Sequence, residues 1–431
     1  MSLRNINSPP QHSWISTKTT TPRSPRLCSP RPFYFPVFKK KKKKKDTMAL
    51  KAVHVSDVPN LDQVPENASL QLYSTRFSKG VEFGRVASRI PKFLVIGHRG
   101  NGMNALQSSD RRMRAIKENS IMSFNTAAKY PLDFVEFDVQ VTKDGCPVIF
   151  HDDFILTEDQ GTVFEKRIPE LCLTEFLNYG PQREAAKDGK PLLRKNKDGQ
   201  IVRWEVEKDD SLCTLQEVFE KVEPSVGFNI EIKFDDYIVY QEDYLVRVLQ
   251  SILKVVFEYA KDRPIVFSSF QPDAAVLVKK LQNTYPVFFL TNGGNEIYCD
   301  VRRNSLDEAI KVCLEGGLEG IVSEVKGVFR NPGAVTKIKE SKLSLLTYGK
   351  LNNVAEAVYM QHLMGIEGVI VDFVQEITEA VCDMIKPSAA TEEDGDDLLE
   401  GDGKMQLKSK PEFSQRELSF LLKLIPELIQ L

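Results

Sequence analysis

The chain has 431 residues, of which 42% are hydrophobic and 27% charged, ordinary values for a globular protein that exclude the disordered, collagen-like and disulfide-framework classes. No apolar run approaches the roughly 18 residues needed to cross a bilayer, which excludes a membrane-spanning helix. The net charge of -2 conceals an acidic body: residues 1–47 hold 12 Lys and Arg, seven of them in the run Lys39–Lys45, against the single acid Asp46, so the remainder carries 46 bases against 59 acids and does not fit a nucleic-acid partner.

In chain order, residues 1–38 are rich in Ser, Thr, Pro and Arg and contain no Asp or Glu, the composition of an organellar transit peptide, here read as a plastid address. Met48 offers an alternative start, which would leave a cytoplasmic protein and make the lysine run an untranslated leader. A polybasic patch for anionic surfaces is a third reading, but no amphipathic helix accompanies the lysines. After a lead-in over 48–92, short β-branched runs alternate with stretches of helical period, the pattern of βαβ units. The predicted strands are Phe93–Gly97, Phe134–Gln140, Phe228–Ile232, Ile265–Ser269, Val287–Leu290, Gly320–Ser323, Leu343–Tyr348 and Gly368–Asp372. Amphipathic stretches at Leu245–Ala260, Ala274–Thr284, Leu306–Gly316 and Asn353–Met364 are long enough for crossover helices. Eight strands with intervening helices predict an α/β fold of the TIM (β/α)8 barrel type, with its active site at the carboxyl ends of the strands.

One segment breaks the alternation. Pro147–His151 follows Phe134–Val141 across Lys143-Asp144-Gly145, a strong hairpin signal that returns His151 to the neighbourhood of Asp138. A loop-rich insertion before the third strand follows, from Asp153 to about Val226; its polar stretch 182–210 reads as a surface excursion beside the active-site mouth. The barrel domain is expected over 93–385. Beyond it come an acidic, Gly-rich linker and a short amphipathic helix, together 386–431. The helix opens on the capping box Ser414-x-x-Glu417 and is read as docked on the barrel, with a membrane-surface or partner-binding role as the alternative. The seven cysteines are odd in number and lack any C-x-x-C pair, so neither a zinc site nor a disulfide framework is indicated; they read as buried thiols.

Two of the five histidines end predicted strands beside charged residues: His98 in Gly97-His98-Arg99-Gly100 and His151 in Phe150-His151-Asp152-Asp153. Glu136 and Asp138 on the second strand, and Glu231 and Lys233 on the third, are spaced two apart and so share a face, which in a barrel is the interior or its mouth. Gathering three carboxylates there is unfavourable unless a cation neutralises them, and a hard divalent metal, Mg²⁺ first and Ca²⁺ second, suits an all-oxygen set. The alternative is three solvated strand residues paired with Lys233. Two imidazoles beside a metal are what in-line cleavage of a phosphodiester needs, one as base and one as acid, with Arg99 and Lys233 supplying fixed positive charge.

These residues also match a family. H-R-G at 98–100, E-N-S at 118–120, V-E-F-D-V-Q-V-T-K-D-G-C-P-V-I-F-H-D at 135–152 and N-I-E-I-K at 229–233 resemble the glycerophosphodiester phosphodiesterases, in that family's order and spacing and over roughly residues 93–385. The resemblance implies a TIM-barrel phosphoric diester hydrolase that takes a small-molecule glycerophosphodiester, such as glycerophosphocholine, to sn-glycerol 3-phosphate and an alcohol, in phosphate recycling from membrane lipids. It makes His98 and His151 the acid–base pair, Glu136, Asp138 and Glu231 the metal ligands, and Arg99 and Lys233 phosphate contacts. Glu118, Asn119 and Asp152 become supports behind the site, and Tyr348, standing where many bacterial members carry a Trp, a substrate contact. The loop Asn101–Lys117 is longer than in bacterial members, and Y-G-K-L-N-N at 348–353 looks like the plant-type branch. A lysophospholipase D and a catalytically silent binding barrel are the alternatives. Whether water or the substrate's own hydroxyl attacks, and the oligomeric state, are not legible.

Overall fold

The computed structural model describes residues 93–385 except 185–187 and 197. The transit-like extension, the lead-in, the acidic linker and the C-terminal helix lie outside the described residues.

The barrel is built from β1 (Leu94–Gly97), β2 (Phe134–Val141), β8 (Gly227–Ile232), β9 (Ile265–Ser269), β10 (Val287–Thr291), β11 (Gly320–Glu324), β12 (Ser344–Tyr348) and β13 (Gly368–Val371). All pair in parallel, and β1 closes the ring by bonding to β13 on one side and β2 on the other. The predicted strands fall on these eight within a residue or two. Crossover helices at Glu242–Tyr259, Pro272–Leu281, Leu306–Gly316 and Ala355–Met364 pack outside. Their ends follow local chemistry: the Ser305 hydroxyl accepts from Glu308 N at 3.1 Å to start Leu306–Gly316, and Gly317 stops it at φ +68°.

Strand alternation divides the core in two. Ile96, Phe134, Val266, Phe288, Leu290, Val322, Leu346 and Ile370 fill the barrel floor, while the outward residues of the same strands meet the helices. On β2, Phe137 faces outward between Phe124 and Phe228, with ring centroids 5.3 and 5.1 Å away. Because Glu136 and Asp138 flank it on the same strand, this aromatic stack sets the strand's seating. Phe137→Ala is expected to cost about 3–5 kcal/mol, read as a lower midpoint in denaturant unfolding, while Phe137→Leu costs clearly less.

The hairpin forms as expected, β2 pairing antiparallel with β3 (Pro147–Ile149) through Val139↔Ile149. The insertion is more ordered than its reading as loop-rich. β4 (Phe154–Asp159), β5 (Thr162–Arg167), β6 (Leu193–Lys195) and β7 (Ile201–Arg203) form a separate antiparallel sheet in the order β5-β4-β6-β7. Its core is Phe150, Ile155, Ile168, Leu171, Phe176 and Trp204. β6 and β7 have only three residues each, and β5 is exposed along nearly its whole length, so these strands carry too little hydrophobic periodicity to be seen in advance. The reading of the cysteines is corrected as well. Of the six described cysteines, Cys213 and Cys313 are buried, but Cys146, Cys172 and Cys382 are partly exposed and Cys299 fully so, on a rim loop that apolar packing does not reach. Among the described residues no helix is long and apolar enough to cross a membrane.

Candidate active site

The second strand lifts its carboxylates from the packed floor to the mouth: inward-facing Phe134 is followed two residues on by Glu136 and then by Asp138, both almost fully buried. Parallel pairing places Asp138 opposite Glu231 on β8. Ligating oxygens of Glu136, Asp138 and Glu231 lie within 4.8 Å of one another. Lys233 extends the same strand, with Nζ 2.9 Å from Glu231 Oε1 and 3.6 Å from Asp138 Oδ1.

His98 follows β1 in a turn that demands glycine on both sides. A Cβ on Gly97 would meet the Gly100 carbonyl oxygen at 2.2 Å, and Gly100 has φ +89°. Arg99 itself sits at φ +49°, and its backbone N–H donates to Glu136 Oε2 at 2.9 Å. The His98 Nδ1–H donates to Asp372 Oδ1 at 2.7 Å, because a carboxylate can only accept, which leaves Nε2 turned toward Glu136 Oε2 at 4.0 Å. The hairpin return, fixed by Phe150 N donating to the Asp138 carbonyl at 3.0 Å, brings in His151. Its Nδ1–H likewise donates to Asp152 Oδ1 at 2.8 Å, freeing Nε2. Each imidazole is thus oriented by one aspartate.

The structure places Asn119 and Glu118 directly against the carboxylate cluster and Arg99. Asn119, at φ +53°, donates from Nδ2 to Asp138 Oδ2 at 2.8 Å and accepts from Asp138 N at 3.3 Å. Glu118 accepts from Arg99 Nη1 at 2.8 Å, and Arg99 Nε lies 3.3 Å from Asp138 Oδ2. Arg99 is therefore held by carboxylates on two sides. Tyr348, at the end of β12, donates its hydroxyl to Asn292 Oδ1 and sets its ring edge-on to Phe270, whose centroid is 5.9 Å from Lys233 Nζ. It forms an aromatic wall at the mouth with Phe270.

Three residues that sequence reasoning missed complete the site. Asp372 orients His98 and is itself held by Met103 N at 3.0 Å and Asn353 Nδ2 at 2.8 Å; as the last residue of the eighth predicted strand, it carried a signal that could have been used. Arg194, on β6 of the insertion, donates to both Glu118 and Asp152. Asn104 pins Glu118 from the loop 101–117, accepting from Glu118 N at 3.1 Å and donating from its own backbone N–H to Glu118 Oε2.

Electrostatics separates the two histidines. Burial lowers the His98 pKa, but the Asp372 and Glu136 carboxylates outweigh it and the net shift is upward. Burial together with the Arg99 and Lys233 cations pushes His151 down to about 4, against the pull of Asp138 and Asp152. The two environments therefore drive the proton affinities of the imidazoles in opposite directions. Burial and the neighbouring Asp138 raise Glu136 to about 8. Glu231 is raised, chiefly by burial, and Asp138 is held low by His151, Arg99 and Lys233 despite its own burial.

The donor set fits a divalent metal. Glu136 Oε1 and Asp138 Oδ1 are buried without a hydrogen-bond partner, and such orphan oxygens are costly unless something coordinates them. Six carboxylates (Glu118, Glu136, Asp138, Asp152, Glu231, Asp372) face three fixed cations (Arg99, Arg194, Lys233). A divalent ion and one imidazolium bring that sum to zero.

Two aspartate-oriented imidazoles beside an all-oxygen metal cradle, at the carboxyl end of a parallel barrel, define a phosphoric diester hydrolase of the TIM-barrel class. The model of the glycerophosphoryl diester phosphodiesterase family matches residues 98–376, and the chain belongs to that family. It is 66% identical over 384 residues to the chloroplastic glycerophosphodiester phosphodiesterase GDPD1 of Arabidopsis thaliana, covering 89% of this chain and 100% of that one. Identity to GDPD2 of the same organism is 63%, again covering 89% of this chain and 100% of that one. In fold, the chain is similar to a crystal structure from Silicibacter pomeroyi described as a glycerophosphoryl diester phosphodiesterase, with a TM-score of 0.50 and 20% identity, covering 69% of this chain and 95% of that one.

Proposed function

We propose that residues 93–385 hydrolyse glycerophosphodiesters, glycerophosphocholine and glycerophosphoethanolamine among them, to sn-glycerol 3-phosphate and an alcohol, using Mg²⁺ held by Glu136, Asp138 and Glu231. The observation that carries this reading is the pair of orphan carboxylate oxygens flanked by two imidazoles whose environments drive their proton affinities apart. When bound, the metal supplies positive charge to a non-bridging phosphoryl oxygen and the attacking group. The rest falls to side chains. Lys233 and Arg99 place fixed charge where the phosphate enters. His98 and His151 exchange protons with the attacking and leaving oxygens through their free Nε2 atoms, and Asp372 and Asp152 hold each ring in the required tautomer. Both hard divalent ions accept three carboxylates plus water; Mg²⁺ is taken first and Ca²⁺ second, and separate add-back of each ion distinguishes them. A plastid location is consistent with the composition of residues 1–38 and with the chloroplastic relative.

A second reading has one observation in its favour. Tyr237 and Val239 on the loop after β8, and Ile297 on the loop after β10, are 80%, 73% and 79% exposed at the barrel mouth. Such a rim would suit a lysophospholipid that keeps one acyl chain. The deciding experiment measures glycerol 3-phosphate release from glycerophosphocholine against choline release from lysophosphatidylcholine, first with chelator and then with Mg²⁺ or Ca²⁺ restored. Glycerophosphocholine turnover at least about tenfold faster, lost to chelator and restored by Mg²⁺, is the expected result. Faster turnover of the lysolipid would reverse the assignment, and full activity in chelator would remove the metal from it.

A further inference from the structure

We infer that Arg194, supplied by the insertion's separate sheet, is a positioning residue for catalysis: it sets His151 through Asp152 and Arg99 through Glu118. The inference rests on the reading of His151 as a proton carrier and of Arg99 as a phosphate contact.

The geometry is specific to a guanidinium. Arg194 Nη1 and Nη2 fork across Glu118, at 3.0 Å to Oε2 and 2.9 Å to Oε1, and Nη2 also reaches Asp152 Oδ1 at 2.8 Å. Those two acceptors are shared with the site itself. Glu118 Oε1 also takes the bond from Arg99 Nη1, and Asp152 Oδ1 also takes the bond from His151 Nδ1. One side chain therefore stands directly behind a catalytic imidazole and directly behind a phosphate contact, touching neither. A lysine could not replace it, since a single ammonium cannot fork across one carboxylate while reaching a second.

The insertion holds this group in place from several sides. Arg194 pairs with Val202 across β6 and β7, and the neighbouring Leu193 pairs with Leu156 on β4. The guanidinium carbon lies 4.1 Å from the Trp204 ring centroid, and Trp204 is fixed in turn by Nε1 donating to Asn104 Oδ1 at 3.0 Å. Arg194 Nη1 closes the arrangement by donating to the Asn104 carbonyl at 3.1 Å. Without Arg194, Asp152 would keep only His151 as a side-chain partner and could turn away from it. Glu118 would lose two of its charged bonds and relax its hold on Arg99. Because Arg194 does not touch the three metal ligands or Lys233, and Arg99 keeps Glu118 and Asp138 as partners, the larger loss is expected in turnover and only a small one in substrate capture.

The test uses the full chain loaded with Mg²⁺, glycerophosphocholine as substrate, and the variants Arg194→Ala, Arg194→Lys and His151→Ala. Positioning predicts that Arg194→Ala lowers kcat by about 10- to 100-fold with KM changed less than about threefold, and that guanidinium ion at non-denaturing concentration restores part of the lost kcat. Wild-type kcat in Arg194→Ala overturns the inference, as does a loss that guanidinium leaves untouched. Should Arg194→Ala fail to fold, Arg194→Lys carries the test: a kcat at least about tenfold low supports positioning, and wild-type kcat overturns it. His151→Ala separates the two levels. If that variant retains full turnover, the underlying reading of His151 fails; if it is inactive while Arg194→Ala is normal, only the role given to Arg194 fails.

Discussion

His151→Ala is expected to lower kcat on glycerophosphocholine by about 10² to 10⁴, the loss of one acid–base catalyst, with the unfolding midpoint nearly unchanged. In free energy that is about 3–5 kcal/mol of transition-state stabilisation. The fold should tolerate the change because the partner left behind is not stranded: Asp152 still accepts from Arg194 at 2.8 Å. His98 differs. Its removal leaves Asp372, a largely buried carboxylate, with Met103 N and Asn353 Nδ2 as its remaining partners, so His98→Ala should lose turnover to a similar degree and also about 1–3 kcal/mol of stability. His98→Asn, which can keep a donor toward Asp372, should recover stability without recovering turnover. Combining His98→Ala with His151→Ala should cost far less than the product of the single effects, because groups that act as a unit are not additive. Steady-state kinetics and denaturant unfolding on the four proteins check all of this, and turnover within about threefold of wild type in either single alanine variant would remove that histidine from the pair.

What could be read in advance depended on how local the physical signal was. The barrel strands were legible because each is a short run of buried β-branched residues bounded by turn chemistry, so Ile265–Ser269 has the same limits in sequence and structure. The helix Glu242–Tyr259 starts three residues earlier than its apolar pattern, since its first turn is made of acidic residues that favour the helix N-terminus without marking the core face. Glu136, Asp138, Glu231 and Lys233 were legible from a spacing of two alone, because strand periodicity forces such residues onto one face. The insertion's sheet was not, and Arg194 was lost with it. Nothing in Leu193-Arg194-Lys195 distinguishes a surface basic residue from one aimed at Asp152, because that relation exists only through long-range pairing with β4 and β7. Asp372 falls between these cases: its position at a strand's carboxyl end was visible, but its partner, 274 residues away in sequence, was not.

Removing the metal should abolish turnover and also reshape stability. Without it, Glu136 is raised to about 8 and Glu231 is raised, each chiefly by burial, so the folded state holds protons that the unfolded chain has already lost above about pH 4.5. A raised carboxyl contributes stability that is fully present below its unfolded-state value and is lost as pH climbs through its folded-state value, so chelated protein should become less stable from about pH 4.5 to about pH 8. Asp138, held low by His151, Arg99 and Lys233, acts in the opposite sense, but its contribution is lost only in strong acid, outside that window. A bound divalent ion replaces those protons, so the metal-loaded protein should show a flatter profile, and binding near pH 7 should release protons to the buffer. At a metal concentration about 100 times Kd the gain is about 2.7 kcal/mol, which should appear as a rise in melting temperature. Asp138→Asn supplies the control. It removes one ligand oxygen from the cradle together with the carboxylate that Asn119 and Arg99 hold, so whatever its melting temperature in chelator, it should show little metal-induced rise above that value and turnover reduced by at least about 10³. Melting curves with chelator and with Mg²⁺ across this pH range decide the matter: a wild-type melting temperature indifferent to Mg²⁺ at pH 8, or an Asp138→Asn variant stabilised by the ion as much as wild type, would remove these three carboxylates as its ligands.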